Sequence, residues 1–387
     1  MNRSNEKKIL IIHNKYANIG GEDIAVQNES SILSERHNVK VLYFENKVTN
    51  FIMQFFYFCI NSNLESKSRL IYEIKKFKPD IVYVHNTWFK ASTGVFSYLK
   101  KMNIPTIIKV HNFRFFCTST FLSSRHVKKN YTCEACGYHN NSIRVFNKYF
   151  KNSYIKSFFV ILHGKKFNRI LNDPYFKVLV LTEYQKNFMR NMFEKNQNIS
   201  VLRNIIQNSQ KLSKLQKDKK SLIYAGRISK EKGVEDLIKN FLKFSDGSFN
   251  LKIAGEGPSR EYLQNKYQGE RIIFLGQLTN EKVIKEISKS YCLITFTKLY
   301  EGQPTIVNEA SINGIPSIFP NNGGIHEFFP PNYPLKFQHN NESQLQKIFD
   351  YLKEEDKLLL IGNQNREFIN KLLDKESWFL QFLSIVG

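Results

Sequence analysis

The sequence predicts an α/β protein made of two doubly wound parallel sheets. Three observations carry this. Its 387 residues exceed what one hydrophobic core usually holds. Short apolar runs alternate with helical patterns, as in β-α-β crossovers. The alternation is interrupted at the lysine-rich stretch KLSKLQKDKK (211–220) and then starts again.

In chain order, KILIIH (8–13) reads as a buried strand. The loop NKYANIGGED follows, then a helix with Val26, Ile32 and Leu33 on its apolar side. VKVLYF (39–44), PDIVYVHN (79–86), PTIIKVHN (105–112), VLVLT (178–182) and ISVLRN (199–204) supply the other strands of a first domain, residues 1–205. After the linker, SLIYAG (221–226), FNLKIAG, RIIFLG, CLITFT and IPSIF build a second domain, residues 206–370. The last segment, 371–387, holds KESWFLQFLSIVG, an amphipathic helix expected to pack back on the first domain. Ligands of such sheets bind beyond the carboxyl ends of the strands, so two facing domains would enclose a cleft.

Apolar residues at 42% and charged residues at 24% are ordinary for a globular chain and exclude disorder. The charge is not ordinary. The net charge is +23, and residues 1–205 carry 32 Lys and Arg against 13 Asp and Glu. Within 86–170 there are 15 basic residues and one acid, Glu134. A one-sided field of this kind calls for an anionic partner: a phosphorylated substrate, an anionic membrane surface or nucleic acid. No run reaches the ~18 apolar residues of a membrane span, and MNRSNEKKILIIH lacks the apolar core of a signal peptide. The expected location is cytoplasmic, peripheral on the inner face of the membrane. NFIMQFFYFCI (50–60) is the candidate interfacial helix, with an ordinary core helix as the competing reading. Five cysteines in so long a chain do not make a disulfide scaffold.

Three glycine-rich turns stand at strand ends: IGGED (19–23), GRISKEKG (226–233) and AGEGPSR (254–260). Glycine lets backbone approach a ligand, and helix N-termini attract phosphate. Each turn alone is more often just a tight strand-to-helix connection. In the second, Arg227 and Lys232 could clamp a diphosphate from two sides. The chain has no Asp-x-Asp, so a diphosphate leaving group would be neutralised by cations and helix N-termini rather than by a metal.

YEGQPTIVNEA (300–310) places Glu301 and Glu309 eight residues apart. On one helix that spacing gives ~800° of rotation and a ~12 Å rise. The carboxylates would then lie too far apart for the ~5–9.5 Å of a glycosidase pair. Pro304 puts the helix start between them, with Glu301 in the preceding loop. Cys117, Cys133 and Cys136 form C-x15-C-x2-C. With His126 or His139 they could hold a structural zinc; free thiols and a labile disulfide are the competing readings.

Taken together, GRISKEKGVEDLI, IAGEGPSR and EGQPTIVNEASINGIPSI followed by Gly323 and Gly324 resemble the nucleotide-sugar-binding half of family-4 retaining glycosyltransferases. GGED, PDIVYVHN and KVHNFRFFC resemble a bacterial branch that builds cell-surface polysaccharides. The resemblance implies a GT-B fold, two Rossmann-like domains facing across a cleft. It implies transfer of a sugar from a UDP- or GDP-linked donor to a polyprenyl-diphosphate-linked glycan, in O-antigen or capsule synthesis. No metal or other cofactor is required for this.

Residue by residue, the resemblance implies that Arg227 and Lys232 hold the diphosphate and that Glu301 contacts the donor sugar. Glu309 binds the ribose. Gly20 and Gly21 let a loop approach the diphosphate, and His111 lies near the transferred sugar. Backbone around Gly302, Gln303 and Pro304 approaches the phosphates. Two departures stand out: a fourth cysteine is missing, and the usual Pro-Asn-Gly before the second domain is Arg203-Asn204-Ile205. A basic nucleic-acid-binding protein is an alternative, but it leaves the second half's motifs unexplained. A phosphorylase or epimerase of the same fold is another, though nothing here demands a cofactor lysine.

Overall fold

The computed structural model describes residues 6–15, 20–45, 53, 55–57, 62–113, 154–206, 218–339 and 341–387. They form two compact units. The described residues up to 206 make the first, together with Leu373–Gly387; residues 218–372 make the second.

The first unit is a six-stranded sheet of β1 (Lys8–Lys15), β2 (Asn38–Glu45), β3 (Ile81–Asn86), β4 (Thr106–Val110), β5 (Lys177–Val180) and β6 (Ile199–Val201). Their order is β2-β1-β3-β4-β5-β6. Every pairing is parallel. Helices cover both faces of such a sheet, which is why Ile9 to Ile12 form an unbroken apolar run rather than an alternating one. The chain leaves β1 toward β2 and then returns to the other side of β1 to lay down β3. The sheet therefore has a switch point between β1 and β3, where the loops after both strands diverge.

The second unit repeats the plan with β7 (Asp218–Ala225), β8 (Asn250–Ala254), β9 (Ile272–Gly276), β10 (Ser290–Ile294), β11 (Ser317–Pro320) and β12 (Lys336–Phe337). Here the order is β12-β11-β10-β7-β8-β9, again all parallel. Its switch point lies between β7 and β10.

Several expected strand ends shift. Asp218–Lys220, read as linker, already belong to β7, because Asp218 pairs with Ser290. Residues 211–217 lie outside the described residues. VLVLT ends early: Thr182 leaves the sheet to cap the helix Glu183–Met192, its hydroxyl accepting from the Gln185 N–H at 3.2 Å. ISVLRN also overshoots, since β6 stops at Val201 and only the Leu202 N–H still reaches Val180 O.

The helix Lys375–Val386 buries Trp378, Phe379 and Phe382, a helical i, i+1, i+4 stripe. These join Ile9, Ile11, Val26, Ile81 and Tyr83 in the first unit's core. Trp378 Nε1 donates to Arg203 O at 2.8 Å, so the aromatic is anchored as well as buried. Asp374 caps this helix by accepting from the Ser377 N–H at 2.8 Å. Asp374→Ala is expected to cost about 1 kcal/mol of first-unit stability, read by urea denaturation. A midpoint unchanged from wild type would show that the cap contributes nothing.

Candidate active site

In the second unit the residues after β7 and β10 converge at the switch point. The turn after β7 carries Arg227, which is exposed, and runs into a short 3-10 turn, Lys230–Lys232. Gly233 ends that turn at φ 67°, and a Cβ there would sit 2.1 Å from Phe296 O. Only glycine permits both the conformation and the approach. The Lys298 N–H adds a bond to Glu231 O at 2.9 Å. Backbone thus fastens the β7 turn to the segment after β10.

The consequence is a cluster. Lys232 Nζ bonds Glu301 Oε1, and the Thr297 hydroxyl reaches the same oxygen at 3.1 Å. Glu301 is itself placed by backbone: it bridges to Gly323, and the Gly324 N–H donates to Glu301 O at 2.9 Å. Gly323 has φ 61°, and a Cβ on it would lie 2.6 Å from Glu301 O. Both glycines of the GG pair therefore hold the carboxylate in place.

The AGEGPSR turn has a structural duty. Cβ atoms on Gly255 and Gly257 would lie 1.9 Å from Gly226 O and 2.3 Å from Ile228 O. The Ile228 N–H also donates to Glu256 O at 2.8 Å. This turn braces the one that carries Arg227 and Lys232.

Pro304 is the N-cap of the helix Thr305–Ile312, so Glu301 precedes the helix and Glu309 rides on it. Gly302 and Gln303 are buried between them. Glu309 is 7% exposed. Burial alone raises its carboxyl pKa to about 7. A group so poised changes charge near neutrality and is sensitive to any donor brought against it.

In the first unit Gly20 caps the helix Gly21–Ser34, and its N–H donates to Asp23 Oδ2 at 2.8 Å. Asp23 Oδ1 lies 2.9 Å from His13 Nε2 at the end of β1. A Cβ on Gly20 would meet nothing closer than 3.7 Å, so packing within this unit does not demand glycine there. His111 follows β4, and its Nε2 lies 2.9 Å from Nδ1 of His85 on β3. Burial, more than any neighbour, holds both imidazoles well below the usual histidine range.

Beneath them lies a buried ion pair, Glu29 with Lys109, both fully enclosed. The Tyr83 hydroxyl donates to Glu29 at 2.8 Å. Burial raises the Glu29 pKa and lowers that of Lys109, while their pairing opposes both shifts. Sequence reading passed over Glu29, Tyr83, His85 and Lys109. The signal was present: Glu29 sits on the apolar stripe with Val26 and Leu33, and Lys109 interrupts an apolar parallel strand. A charge at such a position needs a partner.

Of NFIMQFFYFCI, residues 53 and 55–57 are helical, with Met53, Phe55 and Phe56 44%, 45% and 51% exposed. Cys117, Cys133, Cys136, His126 and His139 lie outside the described residues.

Residues 206–375 match the family described as "Glycosyl transferases group 1", a little under half of the chain. A stretch of 118 residues is 31% identical to an uncharacterized glycosyltransferase, MJ1607, of Methanocaldococcus jannaschii, covering 29% of this chain and 30% of that one. A stretch of 112 residues is 30% identical to the putative teichuronic acid biosynthesis glycosyltransferase TuaC of Bacillus subtilis, covering 29% and 27%. The matched stretch spans less than a third of either relative. Anabaena Alr3699/HepE, solved in complex with UDP and glucose, superposes with a TM-score of 0.67 at 13% identity, over 98% of this chain and 99% of that one. The fold is that of GT-B glycosyltransferases, each unit a Rossmann-like domain.

Proposed function

We propose that this chain, whose residues 206–375 form a glycosyl transferases group 1 domain, moves a sugar from a nucleotide-diphosphate donor to an acceptor hydroxyl with retention of configuration. The observation that carries the reading is the meeting of Lys232 and Glu301 at the second sheet's switch point, with Glu309 buried on the helix that follows. Without donor, cation and carboxylate neutralise each other. With donor, the diphosphate takes Lys232 and the sugar hydroxyls take Glu301. Arg227, exposed at the same turn, adds a second cation. The N–H groups at the start of the helix Thr305–Ile312 face the phosphates. Glu309 accepts from the ribose. Two cations and a helix N-terminus stabilise the departing diphosphate without a metal.

Anionic ligands suit the first domain, and its net basic charge supports an acceptor that is itself a lipid-linked diphosphate. The half-exposed Met53, Phe55 and Phe56 support docking at an anionic membrane surface, as an interfacial helix does. Among the described residues no helix is long and apolar enough to cross a membrane. The resemblance to enzymes of cell-surface polysaccharides and the partial match to TuaC favour a glycan acceptor.

Thermal shift with nucleotide diphosphates tests the reading. UDP or GDP should stabilise the second domain in the presence of EDTA. Stabilisation by RNA or DNA alone would replace this reading with nucleic-acid binding.

Glu309 gives a pH dependence. Its folded pKa of about 7 is raised above the ordinary carboxyl value of 4.5, so unliganded stability is fully present below 4.5 and is lost as pH rises from there through 7. Ribose hydroxyls donate more strongly to the ionised carboxylate than to the neutral acid, so binding has the opposite sense. Affinity for a nucleotide sugar, whose diphosphate does not titrate here, should fall below pH 7, by up to about 10-fold per pH unit. Calorimetry from pH 5.5 to 8 reads this, and Glu309→Gln should flatten the profile. An equally steep profile in the variant would remove Glu309 from the site.

A further inference from the structure

A buried network of His85, Glu29, Tyr83 and Lys109 lies beneath His111. The His85 and His111 rings stack with centroids 5.2 Å apart and share one N···N contact at 2.9 Å. Burial, then the charge of Lys109, disfavours a cation on His111; for His85 the neighbouring His111 adds to the same effect. Each ring is therefore neutral near pH 7 and carries one proton, and one ring must donate to the other. Two arrangements satisfy this. If His85 donates from Nδ1, its Nε2 is bare. If His85 accepts at Nδ1, its Nε2 carries the hydrogen.

Glu29 breaks the symmetry. Its Oε2 lies 3.8 Å from His85 Nε2, with both side chains fully buried. That is too long for a hydrogen bond. In low-dielectric surroundings it is close enough for a carboxylate to prefer a facing N–H over a facing lone pair. Glu29 is held as an acceptor by Lys109 on one oxygen and by the Tyr83 hydroxyl on the other. His13, whose ring is 6.4 Å from His85, is committed to Asp23.

We infer that Glu29, acting through His85, fixes the tautomer of His111. His85 is protonated on Nε2, His111 donates from Nε2 to His85 Nδ1, and His111 Nδ1 is left as a bare acceptor. That Nδ1 is buried and has no hydrogen-bond partner among the described residues. The ring lines a cavity of ≈ 20 Å³ beyond β3 and β4, beside Glu22, Asn86, Thr87 and Phe167. Such a volume admits one water-sized group. A lone pair there accepts from a hydroxyl. The hydroxyl belongs to the bound substrate; this last step rests on the glycosyltransfer reading. Glu29 and His85 are positioning residues, since neither needs to touch the ligand.

The test is long-range ¹H–¹⁵N correlation of the full chain with ¹⁵N-labelled histidine. His111 is expected to show a protonated Nε2 and an unprotonated Nδ1. The double variant Glu29→Met, Lys109→Met removes both buried charges at similar volume, a replacement that folded proteins tolerate. In it the His111 proton should redistribute so that the Nδ1–H form appears. Nδ1–H in the wild type, or an unchanged His111 pattern in the folded double variant, overturns the inference. Should the variant not fold, the wild-type pattern decides alone. Neither readout depends on turnover: the expected tautomers without transfer from any nucleotide sugar would sink the functional reading and leave the relay standing.

Discussion

Glu301→Ala is expected to lower sugar transfer on the order of 100- to 1,000-fold in kcat, the loss typical when one preorganised polar contact to a developing charge is removed. The placement of residue 301 comes from its backbone, and the carboxylate's own bonds are to Lys232 and the Thr297 hydroxyl. Glu301 is positioned by the bridge to Gly323 and by the Gly324 N–H, and both survive the substitution. What disappears is the partner of Lys232 and of the Thr297 hydroxyl and, on the proposed reading, the acceptor for sugar hydroxyls. The pair is partly exposed, 29% for the lysine and 21% for the glutamate, so its loss weakens the fold little. The melting temperature should move by no more than about 4 °C. Near-normal turnover in a well-folded variant would take Glu301 out of the reaction.

On the proposed reading, Lys232→Ala separates the diphosphate from the rest of the donor. A charge-assisted contact is worth about 1.5–3 kcal/mol, so nucleotide diphosphate affinity should drop roughly 10- to 100-fold. The matching nucleoside, which lacks phosphates, should lose almost nothing. Freed from its cation, Glu301 keeps the Thr297 hydroxyl. Arg227 remains at the turn and leaves residual diphosphate binding. Calorimetry with both ligands measures the difference, and equal losses would mean that Lys232 supports the fold rather than the phosphates.

The fold was legible because both sheets are parallel and covered on two faces. Burial on both sides turns each central strand into a continuous apolar run that sequence alone displays, as in Ile9–Ile12 and Leu222–Tyr224. Strand ends were less legible. Thr182 and Asp218 are polar residues whose roles, cap and ladder, depend on neighbours distant in sequence. The E-x7-E pair was readable down to the helix start at Pro304. The contact of Lys232 with Glu301 spans 69 residues, and spacing within one motif cannot show it. It follows from strand order, which places β10 beside β7. Glu29 and Lys109 were hidden for the opposite reason. Each sits inside a regular element whose periodicity absorbs a single charge, 80 residues from its partner.

The central claim is tested most directly by incubating the chain with UDP- and GDP-linked sugars and membranes that contain lipid-linked glycans, then weighing the lipid fraction by mass spectrometry. The account predicts a glycolipid heavier by one sugar residue, with equal release of nucleoside diphosphate, in EDTA, and absent with Glu301→Ala. Lipids of unchanged mass with every donor, or donor that is only hydrolysed or epimerised, would contradict it.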